Sequence, residues 1–172
     1  DLNEKLVSLH NNCYETYGMT ETITHIAASK LSIPKKPFQA LEGIHLRKDE
    51  QGCLLVDAPD IMDKLIYTHD LVEMHTKDTF TYLGRKDNVI NSGGVKISPE
   101  VTERKLAHHV KSPFFLYGIP DKTLGQKLVL IVEGSKDQTT EVENQIKSCT
   151  SLEKFEAPKS IYFVSKILKN NG

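Results

Sequence analysis

Two adjacent glycines between short apolar runs, followed at once by a helix start, most constrain how this chain can fold. Residues 86–97 read KDNVINSGGVKI, and Gly93 and Gly94 tolerate the positive φ angles of a tight hairpin turn. The next residues, SPE at 98–100, have the order of a helix N-terminus: a hydroxyl N-cap, a proline at the first helical position and an acid near the positive end of the helix dipole. The sequence therefore predicts a β-hairpin that leads directly into an α-helix.

The remainder of the second half predicts further strands and one more helix. SPFFLYGIP (112–120) and KLVLIVE (127–133) are strongly apolar and indicate two strands. Thr140 and Glu143 have the spacing of a capping box, and residues 159–164 indicate a last strand. The predicted order from residue 86 onward is β-β-α-β-β-α-β, which is a small α+β domain.

The first half is rich in short strand-like runs and turns. IHLRKDEQGCLLVDA (44–58) predicts a hairpin, and TFTYLGR (79–85) has the period-two alternation of a half-buried strand. The composition of the sequence changes at 84–88, and no Pro/Ser-rich linker separates the two halves. We therefore expect two domains, residues 1–86 and residues 87–172, joined by a short hinge.

Composition and charge exclude several classes of protein. The chain has 172 residues with 38% hydrophobic residues, in the range of globular proteins. Its 22 basic and 23 acidic residues give a net charge of −1, which predicts no nucleic acid and no membrane as partner. No apolar run approaches the length of a membrane helix. The three cysteines lack CxxC spacing, which favours a reducing, cytoplasmic location.

The stretch YGMTE (17–21) combines an aromatic ring, a glycine, a hydroxyl and a carboxylate. In a functional interpretation Tyr17 stacks on a purine, Thr20 bonds a phosphate oxygen and Glu21 holds Mg²⁺, which prefers one or two carboxylates together with phosphate oxygens and water. In the alternative interpretation the stretch is a turn that leads into a helix capped by Thr20 or Thr22. Spacing alone favours the turn.

Three further polar stretches are candidates for ligand binding. Asp70 could accept hydrogen bonds from the vicinal hydroxyls of a ribose, although aspartates that begin turns are common. Arg85 offers a fork of donors to hydroxyl or phosphate oxygens, and Asp87 lies where a hinge could turn. SGGVK (92–96) would let a ligand approach the backbone closely. The alternatives are an exposed charged turn and a plain hairpin turn.

In combination these stretches resemble the adenylate-forming superfamily of acyl-CoA synthetases, luciferases and adenylation domains. YGMTE, THD, GRKDNVINSGGVKISPEVTE and PKSIYFVSKILKNNG follow in the order of the family's YGxTE, TGD, GRxDDxIxxxGxxIxxxEIE and PxxIxFVxxLPxTxxGK. The resemblance covers nearly the whole chain. It implies that 1–86 is the incomplete C-terminal part of a large nucleotide-binding domain with a β-barrel-like subdomain, and that 87–172 is a small mobile α+β domain.

The resemblance implies a role for each candidate residue. A carboxylate would attack ATP to give an acyl-adenylate and pyrophosphate, after which the small domain would rotate and coenzyme A would take the acyl group. Thr20 and Glu21 would be catalytic, Glu21 would hold Mg²⁺, and Asp87 would be the hinge. The residues that would bind ATP or coenzyme A are Tyr17, Gly18, Thr20, Asp70, Arg85, Gly93, Gly94 and Lys96.

The sequence also departs from the family pattern. The family's TGD is THD here, and Cys53 stands where the family has glutamate, so no role is assigned to it. The family's upstream phosphate loop is absent, and its catalytic lysine would follow Gly172. We therefore expect a fragment that does not catalyse adenylation by itself.

Within the superfamily, YGMTETITHIA and NVINSGGVKISPE look similar to the o-succinylbenzoate–CoA ligases of menaquinone synthesis. This implies a small carboxylic acid as substrate. Whether the protein forms a homodimer stays open. Thr24 and His25 are candidates for the acyl pocket, and a surface turn is the alternative. Two other functions also remain: adenylation with transfer to the phosphopantetheine of a carrier protein, and a non-catalytic module that binds a nucleotide or a partner.

Overall fold

The computed structural model describes residues 2–8 and 12–168. The chain forms two compact units, Asp1–Lys86 and Asp87–Gly172. Strands predominate and helices are few, so the predicted mixed α/β class is confirmed. In the described parts of the chain, no helix has the length and apolar content that a membrane span needs.

The first unit contains a seven-stranded antiparallel sheet with the order β1-β2-β3-β7-β6-β5-β4. Its elements are α1 (Leu2–Ser8), β1 (Tyr14–Gly18), a 3-10 turn (Thr20–Thr22), β2 (His25–Lys30), β3 (Phe38–Ala40), β4 (His45–Lys48), β5 (Cys53–Asp57), β6 (Ile66–Met74) and β7 (Thr79–Arg85). The core of this unit is apolar and includes the fully buried side chains of Ile26, Leu54, Val56 and Phe80.

The predicted hairpin at 44–58 forms as strands β4 and β5, with Leu46 opposite Val56. The turn between them is fixed by one carboxylate, because Asp49 Oδ1 accepts hydrogen bonds from the backbone N–H groups of Gln51 and Cys53, both at 2.8 Å. Gly52 completes the turn at φ 89°, a conformation that favours glycine.

The second unit consists of a five-stranded sheet and two helices that contribute Leu106 and Val142 to its core. Its elements are a 3-10 turn (Lys86–Asn88), β8 (Ile90–Ser92), β9 (Val95–Ile97), α2 (Pro99–Leu106), β10 (Phe114–Asp121), β11 (Gly125–Glu133), a 3-10 turn (Lys136–Gln138), α3 (Thr139–Ser148) and β12 (Ser160–Val164). Strand β11 is central: it pairs antiparallel with β10 and β8 and parallel with β12. Its residues Leu128, Leu130 and Val132 are fully buried in the core.

Helix α2 begins at Pro99 with Ser98 as N-cap, as its sequence predicts. The Ser98 hydroxyl lies 3.2 Å from Glu100 Oε2, so it contacts the acid of the first turn.

The predicted capping box at Thr140 and Glu143 is wrong. Helix α3 already begins at Thr139, because a 3-10 turn runs directly into it. The reciprocal cap lies one turn earlier, where the Ser135 N–H donates to Gln138 Oε1 at 2.9 Å. This earlier cap leaves Thr140 inside the helix.

Candidate functional site

The YGMTE stretch forms the end of β1 and the hairpin loop that joins β1 to β2. A short 3-10 turn, Thr20–Thr22, is the only helical part of this loop, and β2 then begins at His25. The chain therefore does not continue into the helix that the alternative interpretation expected. Gly18 is required by a close backbone approach: a Cβ at this position would lie 2.6 Å from the Thr24 carbonyl oxygen and 2.8 Å from the Cα of His25.

One buried hydroxyl holds this loop together. The side chain of Thr22 is fully buried, and its Oγ1 lies 3.1 Å from the Met19 nitrogen, 3.0 Å from the Met19 oxygen and 2.8 Å from the Thr24 oxygen. By contrast, the side chains of Thr20 and Glu21 are exposed at the loop tip. The loop thus uses Thr22 for its own structure and presents Thr20 and Glu21 to the solvent.

Tyr17 and Asp70 meet across the first unit, although 53 positions separate them in the sequence. The Tyr17 hydroxyl donates to Asp70 Oδ2 at 2.5 Å. The Tyr17 ring packs edge-on against Phe80, with 5.2 Å between ring centroids, and lies 5.9 Å from the Phe38 ring and 6.3 Å from the Tyr82 ring. Burial, followed by the bond to Asp70, raises the pKa of the Tyr17 hydroxyl well above its usual range, so this group stays a donor.

Arg85 belongs to the same group of side chains. Asp70 on β6 is directly opposite Arg85 on β7. The backbone N–H of Asp70 donates to Thr68 Oγ1 at 3.1 Å, and the Thr68 hydroxyl in turn donates to the Leu54 carbonyl at 2.8 Å. The structure therefore brings Tyr17, Asp70 and Arg85 together.

The departure from TGD to THD leaves Asp70 within β6, where the pairing with β5 is irregular: Tyr67 lies opposite Leu55 and Leu71 lies opposite Cys53. His69, at the family's glycine position, is exposed. The link between Tyr17 and Asp70 was not predicted from the sequence. It depends on strand pairing, and no local pattern in either stretch signals it.

The glycine pair of the second unit forms the turn between β8 and β9. Gly93 and Gly94 have φ angles of 62° and 84°, which explains why both are glycines. The Gly93 N–H donates to the Leu124 carbonyl at 2.8 Å, and a Cβ on Gly93 would lie 3.1 Å from a Leu124 methyl group. Gly94 faces open space and Lys96 is exposed on β9. Asp87 is exposed within the 3-10 turn that begins this unit.

A cavity of about 390 Å³ in the second unit has no counterpart in the sequence predictions. It lies against the edge strand β10 and the first turn of α2, and Glu100 and Glu103 contribute carboxylates to its lining. Glu103 Oε1 accepts the backbone N–H of Leu116 at 2.7 Å. Burial nevertheless raises the pKa of Glu103 above its ordinary value, against the opposing effect of that hydrogen bond. The sequence signal that could have pointed to this cavity is the spacing of three between Glu100 and Glu103, which puts both side chains on one side of the helix.

The donor set at the β1–β2 loop fits a magnesium ion held by a single protein carboxylate. Glu21 offers an exposed carboxylate next to the Thr20 hydroxyl, and Mg²⁺ commonly combines one such group with phosphate oxygens and water. Among the residues that the structure describes, no three His, Cys, Asp or Glu side chains cluster as a metal site. Cys13, Cys53 and Cys149 are not joined in disulfides.

Comparisons with known proteins point to CoA ligases. No protein-family model matches the chain. The chain is 27% identical over 188 residues to a 2-succinylbenzoate–CoA ligase from Geobacillus sp. WCH70, covering 91% of this chain and 38% of that protein. It is 28% identical over 188 residues to the enzyme of the same name from Bacillus cytotoxicus, with the same coverage. The chain thus spans about two fifths of the length of these curated relatives.

The solved structures that resemble this chain are also AMP-forming ligases. An AMP-forming acyl-CoA synthetase/AMP-acid ligase II-like protein from Dyadobacter fermentans is 36% identical, with a TM-score of 0.50 and coverage of 99% of this chain and 50% of that one. The o-succinylbenzoate CoA synthetase of Bacillus subtilis, in complex with its acyl-adenylate intermediate, is 19% identical with a TM-score of 0.80 and coverage of 98% and 41%. The second likeness concerns the fold. Together with the sequence relatives, these findings confirm the resemblance to adenylate-forming ligases.

Proposed function

We propose that this chain is the C-terminal portion of an ATP-dependent carboxylate–CoA ligase, which forms an acyl-adenylate and then an acyl-CoA thioester. The observation that carries the proposal is the contact between Tyr17 and Asp70, with Arg85 opposite Asp70. Three residues from three separate motifs meet in one unit of the fold. If these stretches were only a plain turn and an exposed charged loop, we would not expect their side chains to lie together.

Each of these groups has chemistry that suits one part of ATP. Asp70 has a second carboxylate oxygen besides the one that Tyr17 bonds, and a carboxylate can accept both hydroxyls of a ribose. Arg85 adds donors beside it. Thr20 would bond the α-phosphate and Glu21 would hold Mg²⁺, which when bound neutralises charge on the phosphates. Tyr17 would place one face of its ring against the adenine.

The second unit would serve the thioester-forming half-reaction. The Gly93–Gly94 turn has no side chains, and exposed Lys96 follows it on β9. A turn of this kind lets a narrow ligand such as the pantetheine arm of coenzyme A approach the backbone. Asp87 would be the pivot that brings this turn to the acyl-adenylate after adenylation.

The proposed acid is o-succinylbenzoate. The support is that relatives matching 91% of this chain carry the name 2-succinylbenzoate–CoA ligase. Menaquinone synthesis in the cytoplasm is the corresponding setting, and cysteines without disulfides, Cys13, Cys53 and Cys149, suit a reducing compartment.

The test is ATP–pyrophosphate exchange by the full-length protein with a panel of carboxylic acids, followed by a screen of acceptors. We expect exchange that depends on o-succinylbenzoate and a thioester with coenzyme A. Transfer only to a carrier protein would show that the acceptor is not coenzyme A, and the adenylation step of the proposal would still stand. No exchange with any acid would refute the proposal.

Asp70→Ala tests the ribose role in the same assay. We expect the KM for ATP to rise about tenfold or more, because two hydrogen bonds to a charged acceptor are lost. Asp57→Ala on the neighbouring strand β5 is the control and should leave the KM unchanged. An unaltered KM in Asp70→Ala would exclude the ribose role.

A further inference from the structure

Residues 86–89 connect two strands, each of which is fixed within its own unit. Strand β7 ends at Arg85, which is paired with Asp70 of the first unit. Strand β8 begins at Ile90, which is 4% exposed and lies opposite Ile97 of the second unit. Any rotation of the second unit on the first therefore has to take place within the connecting residues.

Lys86, the first connecting residue, is held by the first unit. Its ammonium group donates a hydrogen bond to Gln51 Oε1, in the turn between β4 and β5. That turn is itself closed by Asp49, whose carboxylate accepts the backbone N–H groups of Gln51 and Cys53, both at 2.8 Å. The side chain of Lys86 is therefore attached to a hairpin whose own conformation is fixed by hydrogen bonds.

Asn88 is held by the second unit in the same way. Its Nδ2 donates to Glu100 Oε1 at 2.6 Å, and the other oxygen of Glu100 accepts the Ser98 hydroxyl at 3.2 Å. Glu100 lies in the first turn of α2, so this bond ties the connecting segment to the start of that helix. In the family motif position 88 is an aspartate, which when ionised could not donate to Glu100, and position 100 is unspecified. The family motif therefore does not specify this pair.

We propose that Lys86 and Asn88 are positioning residues, which confine the rotation of the second unit to Asp87, the residue between them. This inference rests on the proposed function, in which the second unit turns between adenylation and thioester formation. Rotation about the φ and ψ bonds of Asp87 moves the second unit and breaks neither hydrogen bond. Rotation about ψ of Asn88 would pull its side chain away from Glu100, and rotation about φ of Lys86 would pull that side chain away from Gln51.

Confinement to one residue matters because the second unit has to reach a defined orientation for thioester formation. Each further mobile residue in the connection would have to be ordered again at every rotation, at a cost in conformational entropy. Loss of either anchor, the Lys86–Gln51 bond or the Asn88–Glu100 bond, should therefore slow the half-reaction that follows the rotation. Adenylation, which precedes the rotation, should be spared.

The experiment removes the Asn88–Glu100 bond and then rebuilds it in the full-length protein. Asn88→Asp has no donor and places a second carboxylate beside Glu100. We expect hydrogen–deuterium exchange at the amides of 86–89 to rise about threefold or more, and thioester formation from o-succinylbenzoate and coenzyme A to fall about fivefold. ATP–pyrophosphate exchange should stay within about twofold. Adding Glu100→Gln supplies a donor from the opposite side, so the double variant should recover both the amide protection and the thioester rate.

The other anchor is tested by Lys86→Met, which keeps the apolar stem and loses the donor. It should raise amide exchange and slow thioester formation as Asn88→Asp does. Gln145→Glu is the matched control for both variants, because it removes another exposed bond from an amide to a carboxylate, to Glu141 at 3.0 Å on α3. This control should leave amide exchange at 86–89 and both half-reactions unchanged.

Unchanged amide exchange at 86–89 in both anchor variants would overturn the proposal. It would also be overturned by equal loss of the two half-reactions, or by a double variant that stays as slow as Asn88→Asp. Absence of ATP–pyrophosphate exchange in the unsubstituted protein would instead overturn the proposed function. Hydrogen exchange needs no activity and would still show whether the two bonds hold this segment.

Discussion

The hydroxyl of Tyr17 connects the aromatic cluster of the first unit to the charged pair of strand positions Asp70 and Arg85. The ring contributes to the core while the oxygen lies 2.5 Å from Asp70, so one side chain serves packing and polarity together. The raised pKa of Tyr17 keeps its proton in place, and the carboxylate has a permanent donor on one oxygen. Asp70 is thereby oriented before any ligand arrives.

Tyr17→Phe should lower the free energy of unfolding by about 1–2 kcal/mol, because the half-buried carboxylate of Asp70 loses its donor while the ring stays. Urea denaturation of this chain measures the change. Tyr14→Phe, on the same strand with an exposed ring, is the control and should leave the midpoint unaltered. Equal midpoints for the two variants would show that the bond to Asp70 adds no stability.

Glu103 should make the stability of the second unit depend on pH. Its folded-state pKa is raised above the ordinary value of 4.5 by burial, so its contribution is fully present below about pH 4.5 and is lost as pH rises through the folded-state pKa. Glu103→Gln cannot ionise, and its amide oxygen can still accept the Leu116 N–H. The variant should gain stability over the native chain as pH rises from 4.5 to 7.5.

Thermal midpoints of both chains across this pH range would measure that difference. The other carboxylates are common to both chains and cancel in the comparison. A gap between the two midpoints that is constant with pH would contradict the raised pKa.

At the scale of elements, the β1–β2 loop and the β8–β9 turn show that glycines can be required for different reasons. At Gly18 the requirement is space, since a Cβ would collide with backbone atoms of Thr24 and His25. At Gly94 the requirement is the φ angle of 84°, since a Cβ there would meet nothing within 4 Å. The two positions offer a comparison of steric exclusion with backbone conformation.

Gly18→Ala should destabilise this chain by about 2–3 kcal/mol, because backbone atoms cannot rotate away from the new methyl group. Gly94→Ala should cost about 1 kcal/mol for its left-handed conformation. In the full-length protein, if it has the proposed ligase activity, Gly18→Ala should also reduce ATP–pyrophosphate exchange, since it displaces the loop of Thr20 and Glu21, and Gly94→Ala should not. Urea denaturation and the exchange assay test both statements, and equal effects of the two substitutions in both assays would refute the distinction.

Elements with strong local signals could be predicted from the sequence. Helix α2 begins at Pro99 and strand β7 spans Thr79–Arg85, because capping chemistry and alternation act within a few residues. The start of α3 was misplaced, because a 3-10 turn moved the cap to Ser135. The contact of Tyr17 with Asp70 could not be predicted, because it depends on the pairing of distant strands.

In the candidate site, too, local motifs could be recognised from the sequence, whereas features that depend on tertiary structure could not. Motifs nominated its candidate residues, and their roles toward a nucleotide stay predictions. The positive φ of Ile23, 62°, was beyond prediction, because β-branched residues rarely adopt it. The cavity beside Glu103 depends on how α2 packs against β10, which no local pattern encodes.

At the scale of the whole molecule, the proposed pivot at Asp87 predicts that one half-reaction can be lost without the other. Asp87→Pro fixes φ at the point where the second unit begins. Under the proposed function, adenylation by the full-length protein should stay within about twofold and thioester formation should fall about tenfold or more. Asp87→Ala keeps backbone freedom and should support both steps. Equal loss of adenylation and thioester formation in the proline variant would argue against a pivot.

The central position of β11 has a consequence for how the second unit is made. Its partners β8 and β10 precede it in the chain, whereas β12 follows only after the whole of α3. During synthesis on the ribosome, β8 and β10 can pair with β11 as soon as it emerges, but the edge at 129–133 must wait for Ser160–Val164. A nascent chain stalled before residue 160 should therefore present an unpaired strand edge to chaperones, and one stalled beyond the release of β12 should not.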